Sequence, residues 1–334
     1  MGERILVTGG AGFIGSELVS QLVGLGREVV VADNLVNGQR ANLAGIDSAM
    51  CQLAVVDIRD QQAMAPLMQG VSVVYHLACL GVRNSLHDPL ENHAVNATGT
   101  LGLLEAARHA GVPRFVYVSS SEVYGTARWA PMTEDHPTFP MTVYGAGKLA
   151  GECYARAYHQ SHGYPTIVVR PFNSFGPRSH HEGDSGEVIP KFMLRAMAGK
   201  PMVIFGDGSQ TRDFTFVADT ARGILLAGMT DAAVGRTINL GQGSEVTINA
   251  LAGKIAAALV KPGAAIIHDD PRPGDVLRLI ADSSVAREIL GFSPGVSLED
   301  GLNRLHQWYL KSGVSADQML TAERVHNWKV EQAR

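Results

Sequence analysis

Two side chains able to move a proton stand four residues apart in "TVYGAGKLAGECYARAY", a segment with the pattern of a helix. The spacing puts Tyr144 and Lys148 on one face of that helix. An ammonium close to a tyrosine stabilises the phenolate and lowers the pKa of the tyrosine towards neutrality. We therefore predict that Tyr144 is a base that removes a proton from a substrate alcohol.

A run of hydroxyl groups precedes this helix in "VYVSSSEVYG", where an apolar strand ends. Ser120 is positioned to share a proton with Tyr144 and to hold the substrate oxygen. Glu122 has two interpretations: a second base that acts on the substrate, or a group that caps the turn or pairs with a lysine. With Ser121 between them, these residues and Lys148 form the predicted catalytic group.

A glycine-rich turn lies near the start of the chain, in "ILVTGGAGFIGSELV". Gly9, Gly12 and Gly15 stand between a strand and a helix, where they allow a tight turn and let backbone N–H groups approach a pyrophosphate. Asp33 ends the next strand, roughly twenty residues further on, where a carboxylate bonds the ribose hydroxyls and repels a 2′-phosphate. The pattern predicts a dinucleotide site that selects NAD over NADP.

Two further strand ends belong to the same predicted site. Asp57 and Ile58 close the third strand, a position suited to flanking an adenine, although Asp57 equally suits the N-cap of the following helix. Leu77 and Ala78 follow the fourth strand on the nicotinamide side. His76, with apolar neighbours, is interpreted as a packed core histidine.

The elements that position these residues alternate along the chain. Short β-branched runs such as "RILVTG", "EVVVAD" and "TIVVRP" are separated by segments of helical periodicity. Continuously apolar strands between helices predict a doubly wound, Rossmann-like parallel sheet covered on both faces. We predict an α/β domain over 1–175, a returning segment near 215–241, and a smaller C-terminal substrate-binding lobe over 176–330.

Composition limits the classes of partner. The 334 residues carry a net charge of -4 with scattered Lys and Arg, so nucleic acid is not an expected partner. The three cysteines lack disulfide or metal spacing, which favours a reducing compartment and predicts a cytoplasmic protein without a metal. No apolar run has the length of a membrane span, so no membrane association is expected.

Seven segments together resemble the extended short-chain dehydrogenase/reductase family, in its NAD-dependent nucleotide-sugar epimerase and dehydratase branch. The resemblance runs from the first strand to about residue 276. It implies a tightly held NAD that is recycled within each turnover, a C4-keto sugar intermediate, and a homodimer built through a helix bundle. The segments are "TGGAGFIG", "DIRD", "HLAC", "VSSSEVYG", "YGAGK", "RPFNSFGP" and "FGDGSQTRDFTFVAD".

The resemblance assigns roles to individual positions. Asn173, Arg212 and Arg272 fall on positions that hold the substrate diphosphate, and guanidinium groups suit phosphate oxygens. A salt bridge with Asp213 or Asp219 is the alternative for Arg212. Arg178 belongs to the polar loop "GPRSHHEGDSGEVIP", interpreted as a lid that touches the sugar.

Asn96 in "VNATGT" matches a cofactor position, with a purely structural helix asparagine as its alternative. The complete predicted cofactor set is Gly9, Gly12, Phe13, Ile14, Gly15, Asp33, Asn34, Asp57, Ile58, Leu77, Ala78, Asn96, Tyr144 and Lys148.

Glu122 decides which branch the sequence favours. Simple 4-epimerases need no second base, whereas branches that act at C5 often carry an acid two positions after the catalytic Ser or Thr. The leading hypothesis is therefore a dehydratase, a lyase that performs 4,6- or 5,6-dehydration through Glu122. Ser121 replaces the Asp of glucose-nucleotide 4,6-dehydratases, so a UDP-sugar 4-epimerase, an isomerase, is the alternative. A uronic-acid decarboxylase, a non-catalytic NAD sensor and a keto-sugar reductase are less favoured.

Overall fold

The computed structural model describes residues 3–183, 185–259, 264–272 and 276–328. Its centre is a seven-stranded sheet in which every pairing is parallel, with the strand order β11-β6-β5-β4-β1-β2-β3. This confirms the predicted Rossmann-like α/β fold. The sheet strands are β1 (Arg4–Thr8), β2 (Glu28–Asp33), β3 (Cys51–Val55), β4 (Val71–His76), β5 (Phe115–Val118), β6 (Thr166–Pro171) and β11 (Thr237–Leu240).

Short strands form three further two-stranded pairs: β10 with β7, β12 with β9 and β13 with β8. They are β7 (Asn173–Phe175), β8 (Met202–Phe205), β9 (Thr211–Arg212), β10 (Phe214–Phe216), β12 (Val246–Thr247) and β13 (Ile266–Asp269).

Helices cover both faces of the central sheet, which explains why its inner strands are apolar throughout. β5 and β6, for example, are buried at every position. The helices are α1 (Phe13–Gly24), α2 (Gln61–Met64), α3 (Asn84–His87), α4 (Pro89–His93), α5 (Thr100–His109), α6 (Val143–His162), α7 (Val188–Met197), α8 (Val217–Met229), α9 (Ile248–Ala258), α10 (Ser284–Leu290), α11 (Leu298–Lys311) and α12 (Ala316–Met319). Among the described residues, no helix is long and apolar enough to cross a membrane.

The C-terminal part has a core of its own. α7, α9 and α11 contribute buried apolar side chains to one cluster with β8 and β10, including Phe192, Leu251 and Leu302. The chain also returns to the first core, because β11 pairs with β6 and Ala286 and Leu290 of α10 pack with the sheet. The boundary at 175/176 stays a prediction, with β11 inside the predicted returning segment.

Candidate functional site

One large cavity of about 990 Å³ lies between the carboxyl ends of the sheet strands and the C-terminal lobe. In an open parallel sheet this is the expected place for a ligand. The predicted residues that line it are Gly9, Gly12, Phe13, Ile14, Asp33, Asn34, Asp57, Ile58, Leu77, Ala78, Ser120, Ser121, Glu122, Tyr144, Lys148, Asn173, Arg212 and Arg272.

The glycine turn is packed too closely for side chains. Gly9 has a φ of +70°, and a Cβ there would lie 2.6 Å from the backbone nitrogen of Ala78. A Cβ on Gly15 would lie 2.1 Å from the carbonyl oxygen of Gly9. Gly15 therefore lets α1 approach the turn and does not itself line the cavity. This close packing brings the N-terminal end of α1 to the cavity, where the backbone N–H groups of the helix can bind an anion.

Asp33 is held in place by its neighbours at this end of the cavity. Its carboxylate accepts hydrogen bonds from the backbone N–H of Ala11 at 3.0 Å and of Leu35 at 2.8 Å. The side chain is buried at the tip of β2. A fixed carboxylate beside the glycine turn has the chemistry to accept hydrogen bonds from ribose hydroxyls.

Asp57 is engaged in an ion pair and does not cap a helix. Arg59 lies 2.8 Å from its carboxylate, and the Asn34 amide donates to it at 3.2 Å. The hydrogen bond from Arg59 lowers the pKa of Asp57 to about 2. Asp60, which accepts from the N–H of Ala63, is the N-cap of α2, so the N-cap alternative for Asp57 is wrong.

Two buried polar residues support the cavity from behind. Asn96 is 1% exposed and bonds both the N–H and the carbonyl of Leu80, each at 2.9 Å. It fixes the backbone of a cavity residue and does not line the cavity, which favours its structural interpretation. His76 bonds Thr8 and Thr100 at 2.7 and 2.9 Å, and burial lowers its pKa to about 3. His76 is thus confirmed as a core histidine.

The structure brings Ser120, Tyr144 and Lys148 together. Thr142 caps α6 by accepting from the N–H of Gly145, and Tyr144 follows directly in the first turn. Ser120 interacts with the Tyr144 hydroxyl closely enough to lower its pKa. Lys148 lies with its Nζ 6.0 Å from the centre of the Tyr144 ring and donates to the carbonyl of Val118 at 2.9 Å. This arrangement can take a proton from a hydroxyl group placed against Tyr144.

The predicted direction of the Tyr144 pKa is wrong for the polypeptide alone. Burial raises the pKa of Tyr144 most, followed by the effect of Cys79 and the smaller effects of the charges of Glu122 and Glu187, while Ser120 lowers it. The ammonium of Lys148 does not overcome these effects. Further positive charge in the cavity would favour ionisation of Tyr144.

Glu122 faces the cavity from a single 3-10 turn, Ser121–Val123. The cap of that turn is Ser120, whose Oγ accepts from the N–H of Glu122 at 3.2 Å. The alternative for Glu122, a cap of the following turn or a partner of a lysine, stays a prediction. Ser121 also contributes to the cavity wall, although it is only 3% exposed.

A buried ion pair supports the elements that carry the predicted catalytic residues. Glu152 on α6 is fully buried and accepts from Arg170 of β6 at 2.7 and 2.8 Å and from Ser119 at 2.6 Å. The pair ties α6 and β6 to the end of β5, next to Ser120. The sequence reasoning missed it, because Glu152 and Arg170 meet only after the sheet forms.

The predicted diphosphate residues occupy the other part of the cavity. Arg212 donates to the carbonyl of Thr211 at 2.8 Å. Its predicted alternative partners are engaged elsewhere: Asp213 accepts from three backbone N–H groups, and Asp219 pairs with Arg222 at 3.0 Å. The guanidinium of Arg272 lies against two aromatic rings that pack on each other, 5.3 Å from the centre of Phe205 and 5.1 Å from that of Trp328.

Arg178 lies away from this cavity. It forms a salt bridge with Glu17 of α1 at 2.5 Å and donates to the carbonyl of Asn42 at 3.2 Å. It is absent from the cavity lining, so its position gives no support to the predicted substrate role.

Three charged residues of α7 and its N-cap line the cavity without having been predicted: Glu187, Lys191 and Arg195. Lys191 donates to the carbonyl of Arg324 at 2.7 Å, and burial lowers its pKa to about 8. The signal was present in their spacing of four residues, which places them on one helix face. Only the fold shows that this face meets the cavity.

Comparison with known proteins agrees with this geometry. The model of the NAD-dependent epimerase/dehydratase family matches residues 5–241. A UDP-glucose 4-epimerase of Mycolicibacterium smegmatis is 38% identical over 310 residues, 92% of this chain and 98% of the relative. UDP-glucuronic acid decarboxylase 1 of Arabidopsis thaliana is 35% identical, over 90% of this chain and 68% of the relative. The structure of DesIV, a dTDP-glucose 4,6-dehydratase from Streptomyces venezuelae with NAD bound, has a TM-score of 0.87 at 34% identity and covers 92% of this chain and 97% of DesIV.

Proposed function

Because this chain belongs to the NAD-dependent epimerase/dehydratase family, we propose that it oxidises C4 of a nucleotide-hexose and then removes the C5 proton through Glu122. In 4,6-dehydration the C6 hydroxyl leaves as water and the hydride taken from C4 returns to C6, so the net reaction is a dehydration and the enzyme is a lyase. In this cycle Tyr144 takes the proton of the C4 hydroxyl, and Ser120 holds the oxygen.

The residues present fit NAD as the cofactor. Without side chains on Gly9 and Gly15, which would clash with backbone atoms, the N-terminal end of α1 reaches the cavity, and the fixed carboxylate of Asp33 stands beside it. When bound, NAD would supply a hydride acceptor and a positive charge in the cavity. That charge would oppose the burial that raises the pKa of Tyr144.

The placement of Glu122 carries the proposal. Its carboxylate lines the cavity on the same turn as Ser120, and its charge acts on the Tyr144 hydroxyl. A ketone at C4 makes the C5 proton acidic, and C5 is the neighbour of the carbon that meets Tyr144. A carboxylate at this point is suited to accept that proton.

The test is turnover of UDP- and dTDP-glucose in deuterated water, with products examined by NMR and mass spectrometry. The proposal predicts deuterium at C5 or C6 and loss of water. A Glu122→Gln variant should still form transient NADH but should lose C5 exchange by about 10²–10⁴-fold. Full exchange in that variant would remove Glu122 from the mechanism.

A UDP-sugar 4-epimerase is the second candidate, and Ser121 favours it. A dehydratase needs a proton donor for the departing C6 hydroxyl, and at this position the chain has a hydroxyl that is 3% exposed. Two epimerases among the relatives, including the M. smegmatis protein, agree with it. Inversion at C4 without carbon-bound deuterium would identify this reaction.

The predicted homodimer and cytoplasmic location remain part of the proposal. The homodimer rests on the family resemblance alone. Sedimentation of the NAD-loaded protein should give the mass of two chains, and the mass of one chain would refute it.

A further inference from the structure

One carboxylate in the cavity wall has no part in the proposed chemistry. Glu187 stands at the N-cap of α7, but its side chain makes no capping hydrogen bond. It lines the cavity instead, and its charge raises the pKa of Tyr144. The carboxylate is therefore placed to meet a ligand in the cavity.

The face of α7 shows where such a ligand would lie. Glu187, Lys191 and Arg195 follow one another at intervals of one helical turn, and all three line the cavity. Eight residues of helix span about 12 Å. The carboxylate of Glu323, which pairs with Arg195, and the positive charges of Arg272, Arg195 and Arg83 all act on Lys191, so cations outnumber carboxylates there. α7 thus presents a carboxylate whose charge acts on Tyr144 and, further along, a region of net positive charge.

We propose that Glu187 is a specificity-determining residue, which accepts a hydrogen bond from a hydroxyl of an uncharged hexose and discriminates against a sugar nucleotide with a carboxylate at C6. The inference rests on the proposed function in one respect, that C4 of the sugar lies at Tyr144. C6 lies two bonds from C4, so a carboxylate there enters the field of Glu187, and like charges brought together reduce affinity. The substrate class is then a neutral nucleotide-hexose, and a uronic-acid nucleotide is disfavoured.

The charge of Glu187 depends on pH. Burial, together with the charge of Glu182, raises its pKa to about 7, against the opposing effect of His180. The charge of Glu187 also acts on Tyr144 of α6 and Tyr309 of α11. With a raised pKa, Glu187 is mostly protonated at pH 6 and mostly charged at pH 8. The protonated fraction falls from about nine tenths to about one tenth between these pH values, so the discrimination should rise about tenfold when only the protonated form accepts the uronate.

The test measures the dissociation constants of UDP-glucose and UDP-glucuronate by calorimetry on the NAD-loaded protein at pH 6 and pH 8. A dTDP-glucose and dTDP-glucuronate pair is the second set of probes. The readout is the ratio of the two constants. Lys191, with its pKa of about 8, changes the affinity for both diphosphates alike, so its effect cancels.

The matched variants are Glu187→Gln and Glu299→Gln. Glu299 lies on the surface of α11, pairs with Lys254 and does not line this cavity. The dissociation constant of the glucuronate probe divided by that of the glucose probe should rise about tenfold from pH 6 to pH 8 in the wild type and in Glu299→Gln, and less than about twofold in Glu187→Gln. His180 titrates in all three proteins, so the part of the effect that Glu187→Gln abolishes belongs to Glu187.

Three results would overturn the inference: a wild-type ratio that does not change with pH, equal affinity for the two sugars at pH 8, or full pH dependence in Glu187→Gln. The first two results are obtained with the wild-type protein. For the third, thermal unfolding and the NAD content of Glu187→Gln show whether the variant is folded and loaded with NAD. A lack of deuterium at C5 would refute the proposed dehydration but would not refute the inference about Glu187, which the ratio of dissociation constants tests. Failure to bind any of the four probes refutes both.

Discussion

Replacing Glu152 with glutamine should destabilise the fold beneath the catalytic group. The change leaves the guanidinium of Arg170 in place, 3% exposed, and removes the negative charge that it faces at 2.7 and 2.8 Å. Breaking a buried ion pair on one side costs about 3–5 kcal/mol, because the remaining charge stays buried without compensation. The free energy of unfolding, measured by urea denaturation at pH 7, should fall by about that amount.

The pH dependence of this loss has a defined sign. Burial disfavours the Glu152 carboxylate, but the hydrogen bond and charge of Arg170 outweigh it, so the pKa of Glu152 is lowered from 4.5. A lowered folded-state pKa contributes stability above about pH 4.5, and that contribution disappears as the pH falls further. The difference between wild type and Glu152→Gln should therefore shrink in acid.

Glu299→Gln is the matched control. Glu299 is 58% exposed and pairs with Lys254 on the surface, so its loss should change the free energy of unfolding by less than about 1 kcal/mol. If Glu152→Gln costs no more than this control, or if its cost does not depend on pH, the buried pair is not a main support of the site.

Two further changes concern the cofactor end. Gly15→Ala should abolish NAD retention through gel filtration, because the new Cβ would lie 2.1 Å from the carbonyl oxygen of Gly9. The control Gly253→Ala should retain NAD, because the space around Gly253 is open. Equal retention of NAD by the two variants would contradict the packing argument. Asp33→Asn should weaken NAD binding and narrow the preference for NAD over NADP, since it removes the charge that repels a 2′-phosphate; an unchanged ratio of the two dissociation constants would contradict the assignment.

Residues at fixed offsets from strand ends could be predicted from the sequence. Gly9, Asp33 and Ser120 each end or follow a buried strand, and a parallel sheet brings such ends to one edge. Tyr144 and Lys148 are a local pair on a helix, so their common face follows from their spacing alone.

Contacts between distant segments could not be read in this way. The charge of Glu187 acts on Tyr144, and Glu152 pairs with Arg170, only because separate elements pack together. The pKa of Tyr144 was predicted in the wrong direction because spacing reveals the nearby ammonium but not the burial. The composition of its loop predicts that Arg178 contacts the substrate. In the structure Arg178 instead forms a salt bridge with Glu17 of α1, away from the cavity.

The central claim is that Tyr144 takes the proton when C4 is oxidised. The most direct measurement is the rate at which reduced NAD forms after nucleotide-hexose is mixed with the NAD-loaded Tyr144→Phe variant, compared with the wild type. The account predicts a rate lower by about 10²–10⁴-fold with nucleotide-sugar affinity retained. Formation of reduced NAD at the wild-type rate would contradict it.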